Sequence, residues 1–355
     1  MEAHTPWQPI QGRRLRLALV GCGRIAHNHV QALAHHADRA EWVAVCDTVA
    51  DRRQRYSGLT GAPGFASLDE LLARSAPDLV VLATPSGLHP LQTIRCAQAG
   101  VNVLTEKPMA TQWDQGMAMV RACREAGVKL FVVKQNRLNP TVQALKQAID
   151  AGRFGRIHMV TVNVFWTRPQ SYYDEAPWRG RWDLDGGAFM NQASHYVDMV
   201  DWLVGPVDNV HAYTATQARR IEAEDSGVMG LRLRSGGLAS INVTMLTHGQ
   251  NFEGSITVLG EHGTVRLGGM AVNTIEHWAF AQPQPHDEAV RQANYSTPSV
   301  YGHGHPLYYA NVLDTLQGRA HAEVDGYEGL RSLEVIIAAY RSARDGVRVG
   351  LPLVF

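Results

Sequence analysis

Residues Leu15 to Ala26 read LRLALVGCGRIA, a short apolar strand that runs directly into Gly21-x-Gly23-x-x-Ala26. The pattern predicts a strand, a sharp turn and a helix. A dinucleotide's pyrophosphate needs backbone N–H groups at a helix N-terminus, where the helix dipole favours negative charge. Gly21 permits the turn, Gly23 removes a side chain that would block the phosphates, and small Ala26 lets the helix pack on the strand. A second apolar strand, Glu41-Trp-Val-Ala-Val-Cys46, ends on Asp47, 21 residues after Ala26. A carboxylate there accepts hydrogen bonds from ribose hydroxyls and repels a 2′-phosphate, so the expected cofactor is NAD rather than NADP. Arg52 and Arg53 follow closely and read as solvated charges on the next helix.

With 355 residues and 45% apolar content, the chain is long enough for two domains and a large core. Its formal net charge is zero and it carries no basic patch, so neither composition nor patterning points to nucleic acid. An acidic ligand has to be met by local arginines. The four cysteines (Cys22, Cys46, Cys96 and Cys123) lack metal-like spacing and read as reduced, buried thiols. Cys22 lies at a helix N-terminus, which can lower a thiol's pKa, but its reading is a small residue beside a cofactor. The stretch MEAHTPWQPIQGRR has no apolar signal core, and no apolar run reaches the roughly 18 residues of a membrane span. The expectation is a soluble, cytoplasmic protein without membrane contact.

Strands alternate with helices from Arg16 to about Val133, and the strands are continuously apolar, as in a parallel doubly wound sheet. Helices are expected near Pro90–Gly100 and Trp113–Gly127, ending on glycine caps. Beyond Asn136 the texture changes. A helix near Pro140–Ala151 leads to a strand over Ile157–Trp166, an aromatic, arginine-rich loop to Asp185 and a helix over Ala188–Val204. Five strands follow between Val207 and Leu267, several alternating apolar and polar as antiparallel strands do when one face is buried. Residues Ala281 to His305 read as loop, and two helices close the chain. The reading is an α/β chain: a Rossmann domain over 12–135, a second α+β domain over 136–326 for substrate and oligomer contacts, and a return helix and tail over 327–355.

The strand Val101–Thr105 is followed by Glu106-Lys107-Pro108. Ligands of open α/β sheets bind outside the carboxyl ends of the strands, which puts Lys107 near the cofactor's reactive end. Beside an oxidised nicotinamide the charged lysine is disfavoured, which suits it to deprotonate a hydroxyl whose carbon gives up hydride. Taken alone, the same lysine reads as a surface residue at a strand end. The Lys107–Pro108 peptide is a candidate for cis. On the helix Ala188–Val204, turned at about 100° per residue, Asn191, His195 and Asp198 share a stripe opposite the main apolar face. Asp198, at i+3, is placed to orient the His195 imidazole.

Gly21-Cys-Gly-Arg-Ile-Ala26, Ala83-Thr-Pro-Ser-Gly-Leu-His89, Glu106-Lys107-Pro108, Asn136-Arg137, Gly187…His195-x-x-Asp198 and Tyr327-Glu-Gly-Leu-Arg-Ser-Leu-Glu334 resemble the Gfo/Idh/MocA oxidoreductases in order and spacing. The resemblance spans essentially the whole chain. It implies an N-terminal Rossmann domain and a C-terminal domain with a large open, mainly antiparallel sheet. It further implies NAD(P)-dependent sugar or cyclitol chemistry, with Lys107 and His195 as the catalytic pair. Gly21, Gly23, Arg24, Ile25 and Asp47 are then expected at the dinucleotide, with Thr84, Pro85 and His89 at the nicotinamide end and Glu106 and Lys107 near the cofactor. One position departs: the inositol-dehydrogenase branch usually has an aspartate four residues before the histidine, and this chain has Asn191. An amide takes no proton, so Lys107 must carry more of the proton chemistry.

Lys134-Gln-Asn-Arg-Leu-Asn-Pro140, Phe165-Trp-Thr-Arg-Pro-Gln-Ser-Tyr-Tyr173 and Trp178-Arg-Gly-Arg-Trp182 resemble a nucleotide-sugar branch of the same family. That implies oxidation at C3 of a UDP-activated uronic acid for O-antigen and lipopolysaccharide sugars. The expected substrate contacts are Asn136, Arg137 and Asn191, the donors Arg168, Arg179 and Arg181, and the rings of Tyr172 and Tyr173. The same loop also reads as a subunit interface. Alternatives are a dehydrogenase of a free sugar or inositol, and a non-enzymatic NAD-sensing regulator, against which the presence of both Lys107 and His195 argues. His27-x-His29 and His303-Gly-His305 lack a third ligand at useful spacing, so no metal is expected. Apolar positions such as Val228, Leu231 and Leu233 suggest an uncovered apolar sheet face, hence a homo-oligomer and, by resemblance, a tetramer.

Overall fold

A computed structural model describes residues 7–297 and 300–353. The start of the N-terminal stretch, two residues of the 281–305 loop and the last two residues of the tail lie outside the described residues. The chain forms two compact units, one running up to Lys134 and taking in His305–Leu330, the other made of Gln135–Gly304 and the chain from Arg331. The linear division expected from sequence did not foresee this return: residues 305–330 group with the first unit.

In the first unit, β1 (Leu15–Val20), β2 (Ala40–Cys46), β3 (Gly64–Phe65), β4 (Leu79–Leu82), β5 (Asn102–Thr105) and β6 (Leu130–Val132) pair in parallel in the order β3-β2-β1-β4-β5-β6. The order reverses direction beside β1, which makes the carboxyl ends of β1 and β4 the topological switch point where such sheets bind ligands. The helices α1 (Ala26–Ala34), α2 (Ala50–Thr60), α3 (Leu68–Ser75), α4 (His89–Gln98) and α5 (Trp113–Glu125) connect the strands. Leu17, Leu19, Leu79, Val80, Val81 and Leu82 are fully buried, as continuous apolar strands between helix layers must be. Gly100 and Gly127 both adopt positive φ just beyond α4 and α5, as expected of helix caps.

The second unit contains α6 (Pro140–Asp150), β7 (Ile157–Phe165), α7 (Gln170–Asp174), α8 (Ser194–Val204), β8 (Val207–Ala215), β9 (Ser226–Leu233), β10 (Leu238–Thr244), β11 (Glu253–Gly260), β12 (Gly263–Gly268) and β13 (Thr274–Phe280). The helix α9 (Gly304–Leu316) lies almost wholly in the first unit, α10 (Gly326–Asp345) contributes to both, and β14 (Val349–Gly350) closes the sheet of the second. The eight strands run in the order β13-β12-β11-β7-β10-β9-β8-β14, antiparallel except for the β7–β10 pair. The parallel six-stranded sheet and this mainly antiparallel one give the expected α/β class.

Two expectations are corrected here. The helix expected over Ala188–Val204 is a wide turn over Ala188–Gln192 followed by α8 from Ser194. The apolar face drawn through Val228, Leu231 and Leu233 does not exist, because strand side chains alternate. Leu231 and Leu233 are buried with Met229, while Val228 is exposed on the opposite face. That opposite face carries a polar ladder: Asn242 donates to Asn163 Oδ1, Asn163 to Glu253 Oε1, and Arg266 to the same oxygen. Strand β13 went unread because its side chains are mostly exposed or half-buried, which erases the periodic signal.

Candidate active site

In the first unit the glycine turn is determined by two different demands. Gly21 has φ +92°, and a Cβ there would lie 2.6 Å from the Ala83 carbonyl group, so the close approach of β1 and β4 requires glycine. A Cβ on Gly23 would meet no protein atom within 4 Å. Protein packing leaves that position open to a side chain, so the reason for glycine lies in what approaches the turn from outside, as a pyrophosphate does. Tyr56 donates its hydroxyl to the Gly23 carbonyl at 3.0 Å and steadies the turn. Arg24 is exposed and Ile25 half-buried, both at the entry to α1.

Asp47 sits just past β2. Its Oδ2 accepts from the Cys22 amide at 2.8 Å and its Oδ1 from the Val49 amide at 2.8 Å, so the carboxylate is locked beside the glycine turn. Arg53 donates to the Asp47 carbonyl at 2.7 Å, while Arg52 is exposed on α2. Burial, with Asp47 and Cys46 nearby, pushes the Cys22 thiol up to about 12, which leaves it an inert neighbour of the turn. An anchored carboxylate at the end of β2 and an open Gly23 fit a dinucleotide.

At the ends of β4 and β5, Thr84 donates to Gln92 at 2.6 Å and Pro85 is half-buried. His89 is fully buried, with Nε2 2.9 Å from the Thr84 carbonyl and Nδ1 3.1 Å from the Pro108 carbonyl. Its ring therefore sits between the Thr84 turn and the lysine turn, where the one N–H of a neutral imidazole donates to one of the two carbonyls, a more indirect part than the resemblance implied. Lys107 is half-buried and the Lys107–Pro108 peptide is cis. Glu106 is buried: Oε2 accepts from the Lys107 amide at 3.1 Å, and Oε1 lies 3.1 Å from His29 Nε2. His29 Nδ1 is 2.9 Å from the Tyr309 hydroxyl, and its ring meets His305 edge-on at 5.9 Å. Sequence reading weighed these histidines only as metal ligands.

In the second unit, Gln135, Asn136 and Arg137 lie on a short helical turn and are all buried. Arg137 grips Asp198 with two bonds, Nε to Oδ2 and Nη2 to Oδ1, both 2.8 Å, and stacks 5.2 Å over Trp202. Both Asp198 oxygens are thus engaged by Arg137. That makes the pair a fixture of α8, where sequence reading had assigned Arg137 to substrate and Asp198 to the imidazole. His195, near the start of α8 and 7% exposed, has Nε2 3.4 Å from Gln135 Nε2. Gln135 was missed, although it lies inside the quoted segment from Lys134.

Asn191 donates to Asp185, which also accepts from the Gly180 amide at 2.8 Å. A carboxylate thus stands beside Asn191 by a route the linear motif does not reveal. Glu224 was also missed. Its Oε1 accepts from the Phe189 amide at 2.8 Å and the Tyr340 hydroxyl at 2.9 Å, and its Oε2 occupies the space that a Cβ on Gly187 would need. This buried carboxyl anchors the wide turn that precedes α8. Burial pushes it up to about 7, against the bonds from Phe189 and Tyr340.

The arginine-rich loop is divided. Arg168 and Arg179 lie 5.4 Å and 4.1 Å from the same Tyr172 ring. Arg168 also donates to the Thr167 carbonyl at 2.7 Å, and Arg179 to Glu175 at 2.7 Å and to the Tyr172 carbonyl. Arg181 is instead exposed and paired locally with Asp183 at 3.0 Å. Tyr173 is buried, and burial holds its phenol protonated, so only Tyr172 of the two offers a ring to stack on.

Among the described residues no group of three or more His, Cys, Asp or Glu side chains is arranged to hold a metal ion, and no helix is long and apolar enough to cross a membrane. A crystal structure of the WlbA dehydrogenase from Bordetella pertussis, in complex with NADH and UDP-GlcNAcA, is similar over 98% of this chain and all of that one, with 64% identity and a TM-score of 0.95. The WlbA dehydrogenase from Chromobacterium violaceum, also in complex with NADH and UDP-GlcNAcA, is 58% identical with a TM-score of 0.94 and full coverage of both chains. Inositol 2-dehydrogenase of Rhizobium meliloti (strain 1021) is 27% identical over 348 residues, covering 95% of this chain and 99% of that protein. Family models for the oxidoreductase NAD-binding Rossmann fold and C-terminal alpha/beta domain match residues 15–134 and 146–351, and the chain belongs to the Gfo/Idh/MocA oxidoreductase family.

Proposed function

We propose that this chain is a UDP-N-acetyl-glucosaminuronate 3-dehydrogenase. It oxidises the C3 hydroxyl to a ketone with NAD, in the cytoplasm, on a route to O-antigen and lipopolysaccharide sugars. The observation that carries this reading is whole-length similarity at 64% and 58% identity to two dehydrogenases solved with NADH and UDP-GlcNAcA. The anchored Asp47 and open Gly23 support NAD. When bound, that cofactor supplies the hydride acceptor. Lys107 takes the hydroxyl proton through its amine, and His195 hydrogen-bonds the same hydroxyl. Thr84 and Pro85 border the nicotinamide, with Arg24 and Ile25 at the pyrophosphate. Arg168 and Arg179 meet the diphosphate and carboxylate, Arg181 gives up Asp183 to join them, and Tyr172 stacks on the uracil. Asn136 and Asn191 hydrogen-bond the sugar.

The test is NADH formation with UDP-GlcNAcA, with product mass two hydrogens lower and the ketone located at C3 by NMR. Oxidation of free inositol or glucuronate at comparable kcat/KM, with no binding of UDP alone, would replace this reading by that of a free-sugar dehydrogenase. We propose also that the enzyme is a homo-oligomer, a tetramer by family resemblance. The exposed Met159, Tyr213, Val228 and Leu238 on one sheet face support burial against another copy. Light scattering that reports a 39.0 kDa particle would refute it.

A further inference from the structure

His29, Glu106, His305 and Tyr309 form a buried polar cluster built from three elements of the first unit: α1, the turn after β5, and α9. An ionised carboxylate in such a place is costly unless opposite charge or hydrogen bonds meet it. Here Oε2 accepts from the Lys107 amide at 3.1 Å, and Oε1 lies 3.1 Å from His29 Nε2, within ion-pair distance. On its far side, His29 faces the Tyr309 hydroxyl at 2.9 Å. Tyr309 stays a phenol in this burial, so its O–H can donate to Nδ1 and leave Nε2 facing Glu106. His29 lies one turn into α1, the helix opened by the glycine turn. The bridge therefore joins the dinucleotide helix to the backbone that carries the lysine.

We propose that His29 is a positioning residue for the reaction: by bridging Tyr309 to Glu106 it keeps that carboxylate ionised, and the ionised carboxylate holds the Lys107 backbone in place. This rests on Lys107 being the base. Burial would push the Glu106 carboxyl up, but His29, His305 and Lys107 hold it at about 2. His305 is kept neutral by burial and by His29, down at about 4, and is therefore no substitute for His29 beside Glu106. His89 on α4 is the other titratable neighbour, and burial keeps it neutral too. Without His29, burial should carry the Glu106 carboxyl upward. A protonated acid is a weaker acceptor for the Lys107 amide than a carboxylate.

The experiment compares kcat at saturating NAD and sugar across pH for the wild type, His29→Phe, His29→Gln and Glu106→Gln. The ratio of His29→Phe to wild type should fall about tenfold or more on going from alkaline to mildly acidic pH. Glu106→Gln should give a low ratio at every pH. His29→Gln, whose amide can donate to Glu106 and accept from Tyr309, should restore most of the rate. Infrared spectra, which need no turnover, should show a protonated carboxyl band in His29→Phe at acidic pH, absent from the wild type and from His29→Phe/Glu106→Gln. A pH-independent ratio, or equal losses in His29→Phe and His29→Gln, would overturn the proposal, as would a missing carboxyl band. If His29→Phe does not fold, Tyr309→Phe removes the bridge from its other end and should give the same pH-dependent ratio at smaller amplitude. A flat ratio there also overturns it. An inactive wild type defeats the proposed function instead, and the infrared band then decides this inference alone.

Discussion

Replacing Arg137 by Met tests whether this arginine is part of the scaffold or a substrate ligand. The Arg137–Asp198 pair has side chains only 6% and 2% exposed and two 2.8 Å bonds, so neither charge is screened by water. Removing one member of a buried ion pair leaves an uncompensated charge and costs about 3–5 kcal/mol. The lost stacking over Trp202, at 5.2 Å, adds about 0.5–1 kcal/mol. Arg137→Met should therefore destabilise by roughly 3.5–6 kcal/mol, and Arg137→Met/Asp198→Leu should recover most of it because no orphan charge remains. Guanidinium unfolding followed by tryptophan fluorescence reads both variants. Calorimetric titration with UDP under folded conditions should give near-normal affinity for Arg137→Met. A variant as stable as the wild type that has lost UDP-sugar binding would refute this reasoning and return Arg137 to the substrate.

Lys107→Ala should lower kcat by about 10²–10⁴-fold with NAD binding intact, and His195→Asn should cost less, mainly in kcat; stopped-flow NADH formation compares them, and a larger loss at His195 would exchange their roles. Asp47→Ser should erase most of the preference for NAD over NADP, read as the ratio of kcat/KM values. Glu224 gives a pH dependence of stability. Its carboxyl lies at about 7 in the folded chain against an ordinary 4.5, so its contribution is full below the lower value and is lost as pH rises through the higher one. The loss amounts to roughly 3 kcal/mol between about pH 4.5 and 7, and Glu224→Gln should flatten it, as measured by urea unfolding at several pH values.

Local chemistry is what the amino-acid order alone determined. The turn at Gly21 and Gly23, the strand ending on Asp47, the glycine caps after α4 and α5 and the lysine after β5 depend on neighbours a few residues away. Backbone dihedrals and side-chain periodicity act over that range. Tertiary structure decided the pairings across the chain. Arg137 meets Asp198 across 61 positions, His29 meets Tyr309 across 280, and Glu224 meets Tyr340 across 116. A buried polar group must find a partner, but periodicity does not say which distant segment returns to supply it. The grouping of residues 305–330 with the first unit is of the same kind. So is the alternation that sends Val228 to one face and Leu231 to the other, since which face is buried depends on the layer packed against it.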